Sequence, residues 1–166
     1  MTESQPSANQ HHWQQWLDWA AQQGLAVPDG ARFKQARAQV WGASEFVALA
    51  CARDPQAFAE LLQSGGLESV SSPERIAEQL RAALAEVTDE DALQRQLRRF
   101  RRQQMLRIVF RDLAGWADLD ETLEALTALA DSCIRESLAL LEQWTQLSDR
   151  LRRLAGTDRA AFEALL

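Results

Sequence analysis

Thr88–Asp112, TDEDALQRQLRRFRRQQMLRIVFRD, is the stretch whose reading decides the fold. It predicts a helix of about six turns. Thr88 is the predicted N-cap, and Asp89, Glu90 and Asp91 follow where carboxylates meet the positive end of the helix dipole. Seven arginines lie toward the other end: Arg95, Arg98, Arg99, Arg101, Arg102, Arg107 and Arg111. A stripe at spacings of four and three runs Leu93, Leu97, Phe100, Gln104, Arg107, Arg111, so it starts apolar and ends charged. From Met105 onward, Leu106, Val109, Phe110 and Leu113 cluster on the opposite face. Either the helix changes its buried side near Gln104, or its second half is enclosed all round. Enclosure would take Arg107 and Arg111 out of water and require acidic or phosphate partners. A helix that rolls across its neighbours would let both snorkel to solvent. Arg95, Arg98, Arg99 and Arg102 read as a solvated face.

Working outward, the flanking segments are also helical. Residues 1–9 are expected to be disordered, and residues 10–166 to form a single helical domain. Trp13, Trp16, Leu17 and Ala20 mark an amphipathic helix over Gln10–Gln23, and GLAVPDG (24–30) is a turn. Phe33, Ala36, Val40 and Trp41 mark a second helix that stops at Gly42. Ser44 caps a third, and Asp54-Pro55 restarts a fourth with proline at its first position. That helix ends at Gly65-Gly66, and GGLESVSS (65–72) reads as an exposed loop. Ser72-Pro73-Glu74 opens a helix carrying Ile76, Leu80, Ala83, Leu84 and Val87 on one side.

Beyond the arginine helix, Gly115 allows a break, and Asp118 with Glu121 has capping-box spacing. The longest helix is predicted from Leu119 toward Ala155. Its seam runs Leu119, Leu123, Leu126, Ala130, Cys133, Ser137, Leu140, Trp144, Leu147, Leu151, Leu154, a bundle or coiled-coil pattern. Gly156 is expected to stop it and Thr157 to cap a final short helix. No stretch alternates with period two, so the fold class is all-α: a multi-helix bundle with one arginine-rich helix and one long heptad-patterned helix.

The chain has 166 residues, enough for one domain with a real core. Its net charge is −6, which argues against a nucleic-acid binder. Across Asp89–Asp112, seven arginines against four carboxylates leave +3, a balance that favours internal pairing. Cys51 and Cys133 have no neighbours at metal-ligand spacing, which fits buried thiols in a reducing compartment. No run approaches the roughly 18 apolar residues of a membrane span. The polar start MTESQPSANQ lacks a signal-peptide core, and the expected location is cytoplasmic.

Little in the sequence reads as catalytic. Gly65-Gly66-Leu67-Glu68 could suggest a phosphate-cradling turn, but no strand precedes it. Asp118-Leu119-Asp120 could suggest Mg²⁺ ligands, yet residues two apart on a helix point about 200° from each other, and both suit a helix start. His11 and His12 are the only histidines, which nearly excludes a Ser-His-Asp arrangement. No catalytic, cofactor-binding or metal-binding residue is assigned. Arg107, Arg111 and Asp112 are the candidates for a structural or docking role.

The run LRRFRRQQMLRIVFRDLAGWADLDETLEALTALADSCI (97–134) resembles the N-terminal half of bacterial glutamine synthetase adenylyltransferase, the bifunctional adenylyl-transferring and adenylyl-removing enzyme. The match takes in Leu97, Arg98, Phe100, Arg101, Arg102, Met105, Arg107, Ile108, Arg111, Asp112 and Leu113, then Leu123, Leu126, Leu129, Ala130 and Ile134. Upstream, WGASEFVALACARDPQAFAELL is similar to the family through Ser44, Phe46, Val47, Pro55, Leu61 and Leu62, so the resemblance spans roughly 41–141. In that family the helical region leads into a nucleotidyltransferase core with a G-G-x-E-L-N-F-S-S-D-x-D motif, which this sequence does not contain. The resemblance implies a scaffold or partner-binding segment of an enzyme that moves AMP from ATP onto a tyrosine of glutamine synthetase and removes it by phosphorolysis. It implies ATP and Mg²⁺ for the parent but no cofactor here. Implied partners are the missing transferase core, glutamine synthetase and a PII-type signal protein, with no nucleic acid and no membrane. The alternative is a free-standing helical protein–protein interaction module.

Overall fold

The computed structural model describes residues 8–163, with side chains from residue 10 to residue 154. Seven helices and no strand occur among the described residues: α1 (Ala8–Gln22), α2 (Ala31–Ala43), α3 (Glu45–Arg53), α4 (Pro55–Gln63), α5 (Pro73–Leu84), α6 (Glu90–Leu113) and α7 (Leu119–Glu163). The expected disorder of residues 1–7 lies outside the described residues, and α1 begins at Ala8. Local signals account for most boundaries. The side chains of Ser44, Asp54 and Ser72 accept hydrogen bonds from the backbone N–H groups of Val47, Ala57 and Arg75, each three residues ahead. At α6 the cap is Asp89, whose Oδ1 takes the Ala92 N–H at 2.7 Å, rather than Thr88. A carboxylate one residue further on serves both as cap and as charge against the dipole.

Two apolar cores share α6. The first gathers α1 to α4 around Trp16, Val40, Val47, Phe58 and Phe110. Its rings interlock: Trp16 meets Phe58 edge-on at 5.0 Å, and Phe58 lies 6.1 Å from Phe110. The second packs α5 and α7 against α6 through Ile76, Leu80, Leu93, Phe100, Ile108 and Leu129. The apolar stripe Leu93–Phe100 thus serves one core, and Leu106 and Phe110 serve the other. Between them the second half of α6 is enclosed all round, with Gln104, Leu106, Arg107, Ile108, Phe110 and Arg111 buried. Neither rolling nor snorkelling describes this helix.

Two expectations fail, and a third holds except at one residue. The first is the α7 seam: Leu119 and Leu123 are 69% and 52% exposed, and Ala130 also faces out. The buried stripe is Ala125, Ala128, Leu129 and Ser132, rotated by one residue, about 100°. Small side chains let α7 approach α5 closely, and hydrophobicity alone does not reveal that choice. Of the predicted seam only Leu126, Cys133, Leu140 and Trp144 pack, half-buried, on the second core. The second failure is the end of that helix. It runs on as one 45-residue α-helix to Glu163, so neither the stop at Gly156 nor the short helix after Thr157 exists. A glycine within a helix costs only about 1 kcal/mol, too little to break one without a tertiary contact favouring the turn. The 65–72 segment is the expected loop and mostly exposed, except that Leu67 is 2% exposed and belongs to the first core.

Candidate interaction site around the arginine helix

The loop after α4 and the turn after α6 are built alike. Gly65 and Gly115 hold φ values of +67°, a region that side-chain-bearing residues rarely enter. At the first, the Gly66 N–H reaches back to the Leu61 carbonyl and the Gly65 N–H to that of Leu62. At the second, the Trp116 N–H bonds the Arg111 carbonyl at 2.8 Å and the Gly115 N–H bonds that of Asp112. Both are Schellman caps, and the second carries its usual apolar contact, Trp116 against Phe110 at 5.5 Å. These caps turn the chain so that backbone carbonyls point toward the buried end of α6.

Arg107 and Arg111 fill that space. Arg107 donates through Nε to the Gly66 carbonyl at 2.9 Å and through Nη2 to that of Ser69 at 2.7 Å. Arg111 donates through Nη1 to the Leu67 carbonyl at 2.8 Å and through Nη2 to that of Trp116 at 3.1 Å. Its Nε and Nη2 also approach Glu121 Oε1 at 2.9 and 2.8 Å. Both arginines are 3% exposed. Burial first, and the neighbouring Arg111 charge second, lower the Arg107 pKa from the usual guanidinium value, with Glu121 opposing them. The sequence pointed to carboxylate or phosphate partners; the structure supplies mostly backbone carbonyls. A planar guanidinium with five N–H groups satisfies several carbonyls at once, which an ammonium cannot do.

Glu121 was read as half of a capping box. Asp118 Oδ1 does accept the Glu121 N–H at 2.8 Å, but the Glu121 carboxylate turns to Arg111. Arg111 therefore ties α6, the 65–69 loop, the α6–α7 turn and the first turn of α7 together. Asp112 points the other way: it is exposed and accepts the Thr122 hydroxyl at 3.3 Å. Missing from the sequence reading are the ion pair of Glu121 with Arg111 and the carbonyls of Gly66, Leu67 and Ser69. The paired glycines carried a signal, since a Schellman cap leaves following carbonyls pointing inward. Next to this node, Gln104 donates to Gln79 at 3.1 Å, and Glu60 accepts from Gln103 and Arg99.

No cluster of three or more His, Cys, Asp or Glu residues capable of holding a metal occurs among the described residues. Asp118 is engaged as a helix cap. His11 and His12 stand on α1, where each ring meets Gln15 on the exposed side. Burial pushes the Cys51 thiol well up, and burial, opposed by the Arg101 charge, raises that of Cys133. Two surfaces stand out as exposed among the described residues. One is the outer face of α7, where Leu119, Leu123, Ile134, Leu138 and Leu141 are exposed. The other is the arginine-bearing face of α6.

Comparison with known proteins converges on one family. The glutamate-ammonia ligase adenylyltransferase family model matches residues 34–162. The chain is 40% identical over 139 residues to the bifunctional glutamine synthetase adenylyltransferase/adenylyl-removing enzyme of Nitrosococcus oceani, covering 74% of this chain and 14% of that one. It is 45% identical over 118 residues to the protein of the same name from Pseudomonas aeruginosa, covering 71% and 12%. The chain thus spans about an eighth of the length of these relatives. No solved structure matches. With a family match across most of its length, the chain belongs to the glutamate-ammonia ligase adenylyltransferase family.

Proposed function

We propose that this chain serves as the N-terminal helical part of a glutamine synthetase adenylyltransferase/adenylyl-removing enzyme, where it is a scaffold and partner-binding segment rather than the seat of chemistry. The parent reaction would be transfer of AMP from ATP to a glutamine synthetase tyrosine and its phosphorolytic removal, in nitrogen regulation. ATP and Mg²⁺ belong to the parent's transferase core, glutamine synthetase and a PII-type signal protein are its partners, and the cytoplasm is its compartment. The observation that carries the scaffold role is the outer face of α7. Exposed Leu and Ile recur at helical spacing along that face, which suits continued packing. The missing transferase core is the occupant assigned to it. Arg107 and Arg111 take the structural role, Arg107 by holding the 65–69 loop on α6 and Arg111 by fixing the angle at which α7 leaves α6, and Asp112 lies exposed beside that corner.

A chimera tests this reading, with this chain replacing the matching part of the Pseudomonas aeruginosa relative. It should adenylylate glutamine synthetase. Ile134→Asp with Leu138→Asp should lower that activity about tenfold or more while leaving the melting temperature of the isolated 166 residues nearly unchanged. Unchanged activity in the double variant would refute core docking and favour the second reading, a free-standing interaction module using the same exposed stripe. AMP added to or removed from glutamine synthetase by the 166 residues alone would refute the scaffold role.

A further inference from the structure

The arginine face of α6 is more than a solvated surface, because it floors three contiguous depressions. A notch of about 230 Å³ lies between α3, α4 and α6, with Leu49, Ala57 and Leu106 in its wall and Arg53 and Arg102 at its rim. Phe46 and Arg102 are shared with a second depression that adds Arg98, Arg101 and Met105. Arg98 and Arg102 are shared in turn with a third, between α5 and α6, that reaches Arg95 and Arg99. The result is one groove along α6, apolar at one end and lined by guanidinium groups along its length.

Two carboxylates, Asp54 and Glu86, also line the groove, but they face six arginines: Arg53, Arg95, Arg98, Arg99, Arg101 and Arg102. Arg99 pairs with Glu60 at 3.4 Å, and Arg98 donates to Gln94 at 3.3 Å. Arg53, Arg95 and Arg102 are exposed and make no ion pair or side-chain hydrogen bond among the described residues. Asp54 also borders the notch, where it accepts the Ala57 N–H as the cap of α4 and keeps its negative charge. Phe46 is 46% exposed on a nine-residue helix, an aromatic ring left at the mouth of an apolar notch. A chain with net charge −6 concentrates positive charge on this one face.

We infer that the groove is a docking site for an acidic segment of a partner protein, one that carries a single large apolar side chain. The apolar residue enters the notch beside Phe46, and its flanking carboxylates meet Arg53, Arg102 and the arginines beyond. A bare polyanion would leave the notch unused, and the acidic remainder of the chain would repel its length. A leucine- or phenylalanine-sized side chain fits the notch, and arginine at an interface supplies the carboxylate pairing. This assignment stands on the groove itself and does not rest on the reading proposed for α7.

The test uses the 166-residue protein and a fluorescein-labelled peptide of about twelve residues, glutamate throughout with one central phenylalanine, followed by fluorescence anisotropy. The peptide should bind at low salt and weaken as salt rises, because exposed charge pairs are screened. Replacing its phenylalanine by serine should weaken binding about tenfold, as expected when a large apolar side chain loses its burial. Arg102→Glu with Arg53→Glu should abolish binding with the circular dichroism spectrum intact. Phe46→Ser should remove the preference for the phenylalanine peptide while leaving the salt dependence. The proposal is overturned if the peptide does not bind at low salt, or if the phenylalanine and serine peptides bind equally. Displacement by a single-stranded thymidine oligomer at equal charge concentration would also overturn it and identify a general polyanion site.

Discussion

Arg111→Met is the substitution that reads the architecture most directly. The methionine keeps the apolar stem and removes every donor. The buried Leu67 carbonyl then loses its partner, a loss of about 1–3 kcal/mol for an orphaned buried acceptor. The Trp116 carbonyl loses its side-chain donor, and the Glu121 carboxylate, with 23% of its side chain exposed, keeps a charge with no counterion. Partial access to water spares Glu121 the full penalty. The sum is about 3–5 kcal/mol, the range for breaking a buried pair by removing one partner. For a chain of this size that lowers Tm on the order of 10 °C. Arg98→Met is the matched control: Arg98 is exposed, its hydrogen bond is to the exposed Gln94, and its loss should cost about 0–1 kcal/mol. Thermal and urea denaturation of both variants provide the comparison. Adding Glu121→Gln to Arg111→Met should recover about 1 kcal/mol, because it removes the stranded charge. If Arg111→Met and Arg98→Met melt within about 2 °C of each other, the buried node contributes nothing measurable and the reasoning fails.

Further expectations concern the neighbouring elements. Arg107→Met should fall between those two variants, losing about 2 kcal/mol, since its two carbonyl partners are only part-buried; denaturant midpoints would show it. Leu129→Asp should destabilise by about 3 kcal/mol or more, whereas Leu123→Asp should stay within about 0.5 kcal/mol, and equal effects would return the predicted seam to the core. Gly115→Ala should cost about 1 kcal/mol by thermal melting, because its φ of +67° strains a side-chain-bearing residue while the space around it is open. Cys51 should resist a thiol reagent in the native protein and react on unfolding, its thiol being fully buried and its pKa raised. Rapid native labelling at that residue, located by mass spectrometry, would contradict the packing of α3.

The sequence by itself determined most of the elements, though not the end of α7. Ser44, Asp54 and Ser72 carry their caps in their own side chains, and glycines 65 and 115 carry their turns in the absence of a Cβ, so these boundaries need no tertiary information. Ala-, Leu-, Glu-, Gln- and Arg-rich segments without period-two alternation are enough for an all-α chain, and the motif of α6 was enough for the family. Only the tertiary structure decided which faces are used. The α7 pattern of Leu119, Leu123 and Leu126 measures hydrophobicity, but burial there was settled by how closely Ala125, Ala128 and Ser132 let α7 approach α5. Likewise, the repeat of Arg107 and Arg111 marks two cations four residues apart and cannot say what faces them. Their partners are mainly carbonyls of a loop some forty residues earlier, and a backbone carbonyl leaves no letter in the sequence to be read. Glu121 did have a letter, with two uses open to it, a helix cap and an ion pair. The buried Arg111, unable to reach water, decided between them.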